Sequence, residues 1–251
     1  MPFEKRVGEA ERCAYDLFAR VGVLVPKVLG YDGGILTLEE LPESSVDIET
    51  MVDLTADLHS AFWENYDAFG EIGLPWRLDH SKNFAQHCKS LEKGIKPYCK
   101  AHSMDGGVFR QALGYFRTEM PKLMENRFHA GKHITVLHGD LHPGNVMLTE
   151  RGTAAFVDLE AVRMGIGAED LVMLLALHGA PERAKAMPLL ERYYERLDGD
   201  VRGYSFKALL ADYRLALAEG LFFPQKLFLS NGINDQAMME RALTAWRNLH
   251  G

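Results

Sequence analysis

The chain has 251 residues, of which 47% are hydrophobic, so it is long enough to bury a substantial core as one large domain or as two lobes. Its formal net charge of −7 argues against a nucleic-acid partner, whose phosphates attract basic surfaces, and is compatible with a cationic small molecule. No apolar run is long enough to span a bilayer, and the N-terminus is charged, which predicts a cytoplasmic protein without membrane contact. The three cysteines lack C-x-x-C spacing, which predicts reduced thiols.

The N-terminal part of the chain is predicted to contain one helix and two short strands. Residues 8–22 carry apolar side chains at helical spacing, and Gly22 is a stop signal for that helix. Residues 25–42 alternate as two strands around a turn at Gly33–Gly34 and are closed by Pro42.

Helical periodicity dominates the rest of the chain. Helices are predicted within 47–66 and near 82–100, 107–129, 168–178, 182–197, 205–222 and 235–249. Residues 134–158 interrupt this pattern with two strand-like segments, the second of which contains a hairpin turn at Arg151–Gly152. We therefore predict an α+β fold with two unequal lobes, 1–42 and 43–251.

Polar side chains are concentrated between the two strand-like segments, in "VLHGDLHPGNVML" (136–148). The hairpin returns the chain to its starting point, so Asn145 and Asp158 can face one another. Their oxygens suit Mg²⁺, which shares its ligand shell with substrate phosphates. Asp140 would stand near an incoming hydroxyl and accept its proton. The order Asp-x4-Asn, hairpin, Asp is that of the catalytic loop and metal-binding aspartate of protein kinases.

The motif "HGDLHPGN" followed by "FVDLE" resembles the signature of the aminoglycoside phosphotransferase and choline kinase superfamily. The segments "VPKVLG", "LTADLHSAFW" and "GAEDLVMLL" also resemble family segments, so the resemblance covers nearly the whole chain. It implies a protein-kinase-like fold with a reduced N-terminal lobe and a large, mostly helical C-terminal lobe. It also implies transfer of the ATP γ-phosphate to a hydroxyl of a small molecule, such as an aminoglycoside-type antibiotic or another cationic alcohol.

The resemblance assigns roles to individual residues. Asp140 is the expected catalytic base, His138 supports its loop, and an aspartate matching Asp170 braces that loop. The expected magnesium ligands are Asn145 and Asp158, with Glu160 in the second acidic position. Backbone groups near Glu40 and Leu41 are expected to bind adenine, and Lys5 with Glu11 is expected to bind the phosphates of ATP.

The N-terminal assignments leave alternatives open. Glu9 competes with Glu11 as the partner of Lys5, and Lys5 could instead be a solvated terminal charge. The first two strands and the phosphate-covering loop of a kinase lobe are absent from this sequence. We therefore expect the Lys5 strand to be a lone edge without a fixed register. On this expectation the chain binds ATP weakly, Lys5→Ala changes that little, and the natural reading frame begins further upstream.

Two other functions are compatible with the sequence. The chain could be a non-catalytic nucleotide- or ligand-binding protein, or a zinc hydrolase built on His138, Asp140 and His142. His59 is interpreted as a structural histidine. The last helices carry a set of acidic and aromatic residues: Tyr193, Tyr194, Asp212, Tyr213 and Glu219. We interpret this set as packing and solvated surface; the alternative is a substrate pocket.

Overall fold

The N-terminal part of the chain forms a three-stranded antiparallel sheet. The computed structural model describes residues 2–42, 44–71 and 81–250. The strands are β1 (Phe3–Arg6), β2 (Val28–Asp32) and β3 (Ile35–Leu38), and β3 lies in the centre. The expectation that the Lys5 strand would lack a partner is wrong, because β1 pairs with β3 along its whole length and Lys5 lies opposite Leu36. The turn at Gly33–Gly34 makes this possible by returning β3 between the two other strands.

One helix packs between this sheet and the rest of the protein. Helix α1 (Glu9–Val21) ends at Gly22, as predicted. Its buried side chains include Tyr15 and Phe18, and the helix contacts a short 3-10 turn, Leu159–Ala161. The helix therefore links the sheet to the segment that follows Asp158.

The remainder of the described chain is mostly helical. Its helices are α2 (Ile48–Ala61), α3 (Tyr66–Glu71), α4 (Ser81–His102), α5 (Gly107–Leu123), α6 (Ala168–Leu171), α7 (Arg183–Arg196), α8 (Phe206–Gly220), α9 (Phe223–Asn231) and α10 (Gln236–His250). Helices α5 and α6 continue directly into π-helical turns, Met124–His129 and Val172–His178. The sequence patterns had predicted most of these helices, but not α3 or α9. None of the helices in the described residues has the length and apolar character needed to cross a bilayer.

The core of the helical part is built by pairs of helices. Helix α2 packs on α7, α5 on α8, and α10 on the π-helical turn 172–178. At the surface of the first pair, the guanidinium groups of Arg192 and Arg196 each bind one carboxylate of α2, Asp53 and Asp57, in a bidentate manner. These contacts fix the register of α7 on α2.

Two acidic residues of α8 are buried rather than solvated. Asp212 accepts a hydrogen bond from the Tyr204 hydroxyl at 2.8 Å and contacts Arg127, and burial raises its pKa. Glu219 pairs with His87 at 2.9 Å and with Lys226 at 3.3 Å. The interpretation of these carboxylates as solvated surface is therefore wrong. In the same set, Tyr193 and Tyr213 are buried, which confirms that they pack in the core.

Four short strands hold the polar segment of the sequence. Strand β4 (Thr135–Leu137) pairs with β7 (Arg163–Gly165), and β5 (Val146–Leu148) pairs with β6 (Ala154–Phe156) in the predicted hairpin. The loop 138–145 therefore leaves β4 and enters β5, while 157–162 leaves β6 and enters β7. These two antiparallel pairs place both connecting segments side by side.

Candidate active site

The loop 138–145 is anchored by a close backbone approach at Gly139. Its φ is 85°, and a Cβ there would lie 2.1 Å from the Ala161 carbonyl oxygen and 2.3 Å from Arg163 Nη1. Arg163 instead donates a hydrogen bond to the Gly139 carbonyl oxygen at 3.0 Å. Only glycine combines this conformation with this contact, so the turn that presents Asp140 depends on it.

A buried carboxylate also holds the start of this loop. Asp170 is 1% exposed and accepts the backbone N–H groups of His138 at 2.7 Å and Gly139 at 2.9 Å. Burial alone would raise its pKa, but the hydrogen bond with His59 and the charge of Arg163 lower it. The side chain therefore remains an anion that fixes two consecutive amides, as the resemblance implied.

His138 supports the loop from within the protein. Its ring is fully buried, Nε2 donates to the Val157 carbonyl oxygen at 2.9 Å, and Nδ1 lies 3.4 Å from the Asp140 N–H. Burial lowers the pKa of this imidazole, so it is neutral. The ring connects the loop to the residue before Asp158 and has no free nitrogen with which to reach a substrate.

The hairpin brings Asn145 and Asp158 to the same cavity. Asn145 Nδ2 donates to the Asp140 backbone carbonyl oxygen at 2.8 Å, and the backbone carbonyl oxygen of Asn145 accepts the Val157 N–H at 3.0 Å. Asp158 adopts a left-handed conformation with φ 59°, and its N–H donates to the Tyr15 hydroxyl at 3.2 Å. Both residues line one cavity.

Lys5 is not a solvated terminal charge. Its ammonium donates to Glu11 Oε1 at 2.9 Å and contacts the carboxylate of Asp158. Burial would lower the pKa of Lys5, but the bonds to Asp158 and Glu11 outweigh this effect and raise it. Glu11 is 5% exposed, whereas Glu9 faces solvent and pairs with Arg12 at 2.6 Å, so the geometry selects Glu11 over Glu9.

The cavity between the sheet and the helical part has a volume of about 470 Å³. This volume is in the range of sites for small molecules and cofactors. The lining residues are Phe3, Lys5, Tyr15, Pro26, Leu38, Glu39, Glu40, Leu41, Asn145, Met147, Val157 and Asp158. The predicted connector residues Glu40 and Leu41 therefore line the same cavity as Lys5. Glu160 is exposed and does not line this cavity.

The donor atoms of Asn145 and Asp158 fit a hard cation. Because Asn145 Nδ2 is committed to the Asp140 carbonyl oxygen, its Oδ1 is turned away, and it accepts no hydrogen bond from any residue that the structure describes. The Asp158 side chain is 47% exposed, so water and phosphate oxygens can reach it. Mg²⁺ prefers such a set of one carboxylate, further oxygens and several waters.

Two histidines lie near the Asp140 carboxylate. His142 Nδ1 accepts the Gly144 N–H at 3.0 Å, which leaves Nε2 carrying the proton 3.8 Å from Asp140 Oδ2. The ring of His178 lies 5.2 Å from that of His142. His178 was missed because it ends a helix and belongs to no local motif.

The structure does not arrange His138, Asp140 and His142 as a set of zinc ligands. Both ring nitrogens of His138 are engaged by the backbone. Within residues 2–42, 44–71 and 81–250, no group of three or more His, Cys, Asp or Glu side chains is arranged to hold a metal ion. His138, Asp140 and His142 therefore do not converge on one point.

A second, smaller cavity of about 60 Å³ lies against α8 and α9. Arg163, which bonds to the Gly139 carbonyl oxygen, forms one wall. Glu169, Glu219 and Lys226 contribute charges to the other walls. The sequence had offered Glu219 as a member of a substrate pocket only as the alternative interpretation.

A small sheet, a helical body and a catalytic loop between them are the architecture of protein-kinase-like phosphotransferases. Comparison with protein families gives a match to the phosphotransferase enzyme family (APH) over residues 4–206. The chain therefore belongs to the phosphotransferase enzyme family. This finding confirms the predicted superfamily and, at the level of the family, a phosphotransferase for small molecules.

Solved structures with the same fold confirm the protein-kinase-like architecture. An amicoumacin kinase in complex with AMP-PNP, Ca²⁺ and Ami is 12% identical, with a TM-score of 0.62 over 96% of this chain and 76% of that one. The Plasmodium vivax ethanolamine kinase is 12% identical, with a TM-score of 0.60 over 96% and 72%. The choline kinase of Streptococcus pneumoniae is 17% identical, with a TM-score of 0.59 over 98% and 85%. A comparison with curated proteins found no match.

Proposed function

We propose that this protein transfers the γ-phosphate of ATP to a hydroxyl group of a small molecule. One observation carries the proposal: Lys5, bound to Glu11 and Asp158, lies at the edge of a cavity of about 470 Å³ that Asn145 also lines. A lysine, its glutamate and a metal-binding aspartate are the parts that hold a triphosphate in kinase-type sites. If Lys5, Glu11 and Asp158 served only to stabilise the fold, no cavity beside them would be needed.

The nucleotide is oriented by two groups of residues that line this cavity. Backbone groups at Glu40 and Leu41 bind the adenine, and Lys5 binds the phosphates while it keeps its bond to Glu11. Asn145 and Asp158 hold Mg²⁺, which when bound neutralises negative charge on the phosphate oxygens. The half-exposed carboxylate of Asp158 and the unshared Oδ1 of Asn145 support this assignment. Glu160, exposed beyond Asp158, remains the second acidic candidate.

Asp140 orients the acceptor hydroxyl and accepts its proton. Its side chain is 42% exposed, so an acceptor can reach it. The backbone around it is fixed on both sides, by the bonds of Asp170 to the preceding amides and by the bond of Asn145 to the Asp140 carbonyl oxygen. Positioning and electrostatic stabilisation account for most of the rate enhancement in phosphoryl transfer, and this rigid loop supplies the positioning.

The acceptor is proposed to be an alcohol that also carries an amine. The net charge of −7 favours a cationic acceptor. By their names, the structural neighbours include kinases of ethanolamine and choline. An aminoglycoside-type antibiotic and a smaller amino alcohol both belong to this class.

The proposal is tested by measuring ATP consumption with a library of amino alcohols, aminoglycosides and other hydroxylated antibiotics. We expect stimulation by at least one acceptor, formation of its phosphate ester, and loss of both in Asp140→Asn. Calorimetry with MgATP should show binding by the wild type. An absence of MgATP binding would contradict the proposal, and binding without turnover on any acceptor would instead support a non-catalytic nucleotide-binding protein.

A further inference from the structure

An arginine on β7 binds the peptide group that leads directly into Asp140. Arg163 Nη1 donates to the Gly139 carbonyl oxygen at 3.0 Å. That carbonyl belongs to the same planar peptide group as the Asp140 N–H, which lies 3.4 Å from His138 Nδ1. Fixing this plane restricts the ψ angle of Gly139 and the φ angle of Asp140. Arg163 therefore influences the direction in which the Asp140 side chain leaves the backbone.

The neighbouring peptide groups of this loop are held by other residues. Asp170 accepts the N–H groups of the two preceding peptide groups. Asn145 donates to the carbonyl oxygen of the following group, that of Asp140. The group between Gly139 and Asp140 is held by the 3.0 Å bond from Arg163 and by the longer 3.4 Å contact of its N–H. Loss of the arginine bond would therefore loosen the one peptide plane that lies between two fixed regions.

Arg163 is itself tethered by a carboxylate of α6. Its Nη2 donates to Glu169 Oε2 at 2.9 Å, so the two ends of the guanidinium fork bind Glu169 and Gly139. Both charged side chains are largely buried. Burial would lower the pKa of Arg163, but the charges of Glu169 and Asp170 raise it, so the guanidinium stays a cation. Gly165 keeps space for the carboxylate, since a Cβ there would lie 2.7 Å from Glu169 Oε1.

Stability alone is a weak reason for this ion pair. Two charges lose their hydration when they are buried, and an apolar pair of similar volume often gives equal or greater stability. The surroundings would suit such an apolar pair, because Val172, Met173 and Leu177 line the small cavity in whose wall the ion pair lies. An apolar pair could not supply the hydrogen bond to Gly139. That bond is therefore the property that distinguishes the arginine.

We propose that Arg163, tethered by Glu169, is a positioning residue that fixes the peptide group before Asp140 and so directs its carboxylate. The effect on turnover rests on the proposed phosphotransfer, whereas the effect on the loop does not. Arg163 acts through the backbone and not by contact with the acceptor. Because a displacement of about 1 Å can reduce turnover by roughly 10²-fold, loss of the bond should affect kcat more than binding.

Two substitutions and their combination test this inference. Arg163→Met removes the donor to Gly139 and leaves a long apolar side chain in its place. Glu169→Leu removes the tether and leaves the donor free to turn. Because Glu169 acts through Arg163, the double variant should be no worse than Arg163→Met alone. The controls are Arg117→Met, Glu92→Leu and their combination, at a more exposed ion pair of 2.7 Å that joins α5 to α4.

The first readout is backbone amide exchange over residues 136–145. Arg163→Met should exchange at least about 10-fold faster than the wild type there, because a bond from a charged donor is lost. The control variants should exchange like the wild type. Exchange at the wild-type rate in Arg163→Met would overturn the inference, whether or not the protein consumes ATP. If that variant does not fold, Arg163→Lys replaces it, since an ammonium keeps the charge but lacks the fork that binds Gly139 and Glu169 together.

The second readout separates positioning from acceptor binding. With an acceptor found in the screen, Arg163→Met should lower kcat by roughly 10²-fold, while the KM for the acceptor and the Kd for MgATP stay within about 2-fold of the wild type. The double variant with Glu169→Leu should have the kcat of Arg163→Met, and additive losses from the two single variants would overturn the inference.

Two further outcomes of the kinetics are distinct. A raised acceptor KM with unchanged kcat in Arg163→Met would overturn the inference, because the arginine would then bind the acceptor directly. A wild type that binds no MgATP would contradict the proposed function instead, and the exchange data would still decide the positioning role.

Discussion

The ammonium of Lys5 contacts the carboxylate of Asp158 although 153 residues separate them in the sequence. The same ammonium donates to Glu11 at 2.9 Å, so one cation is held by two anions. Lys5 lies on the sheet and Asp158 follows the hairpin of the helical part, which means that this ion pair joins the two sides of the cavity. On the proposed function, bound MgATP would separate the pair, because Lys5 would bind the phosphates and Asp158 would bind the metal.

The first prediction concerns this lysine. Lys5→Met should raise the Kd for MgATP by about 10- to 100-fold, because a hydrogen bond to a charged group contributes roughly 1.5–3 kcal/mol. The sequence alone led us to expect that substituting Lys5 would change ATP affinity little. The pairing of β1 with β3 and the buried Glu11 hold Lys5 in place, so we now expect a clear loss of affinity. Calorimetry measures the change. Lys27→Met, at an exposed lysine outside this cavity, is the control, and equal affinity in both variants would exclude Lys5 from the site.

The second prediction concerns the magnesium ligands. Asp158→Ala should abolish the metal dependence of ATP binding, and Asn145→Ala should weaken it less because no charge is lost. Titrations of ATP with and without Mg²⁺ give the metal-dependent part of the affinity. Glu160→Gln tests the second acidic position in the same assay. Unchanged metal dependence in both Asp158→Ala and Asn145→Ala would place the metal elsewhere.

The catalytic loop and its hairpin could be predicted because their signals are local. The polar residues between His138 and Asn145 and the turn at Arg151–Gly152 lie within one short stretch, and the structure has the hairpin there. Strand β7 (Arg163–Gly165) was missed, since three residues give no recognisable alternation. Helix α9 was missed because its apolar residues do not form one clear stripe.

The contacts that fix the loop could not be predicted from the sequence. His59 is separated from Asp170 by 111 residues and from Tyr193 by 134 residues. No spacing rule links side chains that meet only through the packing of three helices. The pairing of β1 with β3 is non-local in the same way, because the intervening α1 and β2 carry no signal for the order of strands.

The third prediction concerns the catalytic base. Asp140→Asn should reduce turnover by roughly 10²- to 10⁴-fold, the usual contribution of a general base. MgATP affinity should be preserved, because the Asp140 side chain does not line the nucleotide cavity. Steady-state kinetics and calorimetry on the same preparation give both quantities. Glu150→Gln, at an exposed glutamate on the hairpin turn, is the control for loss of a charge. Turnover near the wild-type rate in Asp140→Asn would exclude Asp140 as the catalytic base.

The fourth prediction is a loss of stability in weak acid. Burial, followed by His142 and Arg241, lowers the pKa of His178 to about 4, while Asp140 and Asp235 act in the opposite direction. An unfolded histidine has a pKa of about 6.5. Between these two pKa values the unfolded chain binds a proton at His178, whereas the folded chain does not. The stabilisation is therefore complete above pH 6.5 and is lost as the pH falls towards about 4.

This loss is measured by denaturant unfolding of the wild type and His178→Gln at pH 8, 6.5 and 5. Because His178 is only partly buried, we expect a contribution on the order of 1 kcal/mol between pH 6.5 and 5. The variant should lose less stability over this interval than the wild type, and the two chains should show a constant difference between pH 8 and 6.5. Parallel pH profiles down to pH 5 would contradict the assignment to His178.

The fifth prediction separates two costs of placing a side chain at a glycine with positive φ. Gly139 and Gly152 both have positive φ, 85° and 74°, but only Gly139 is crowded. Gly152→Ala, on the hairpin turn, should lower the free energy of unfolding by about 1–2 kcal/mol through the left-handed conformation alone. Gly139→Ala should cost about 1–3 kcal/mol more, because its Cβ meets the Ala161 carbonyl oxygen and Arg163.

The two variants should also differ in activity. In Gly139→Ala the segment carrying Asp140 must move away from Ala161, so turnover should fall by roughly 10²-fold even under conditions where the protein stays folded. Gly152→Ala changes a turn at the far end of the hairpin and should keep wild-type turnover. Urea unfolding and steady-state kinetics are measured on both. Equal losses of stability and activity in the two variants would mean that the close approach at Gly139 does not determine the position of Asp140.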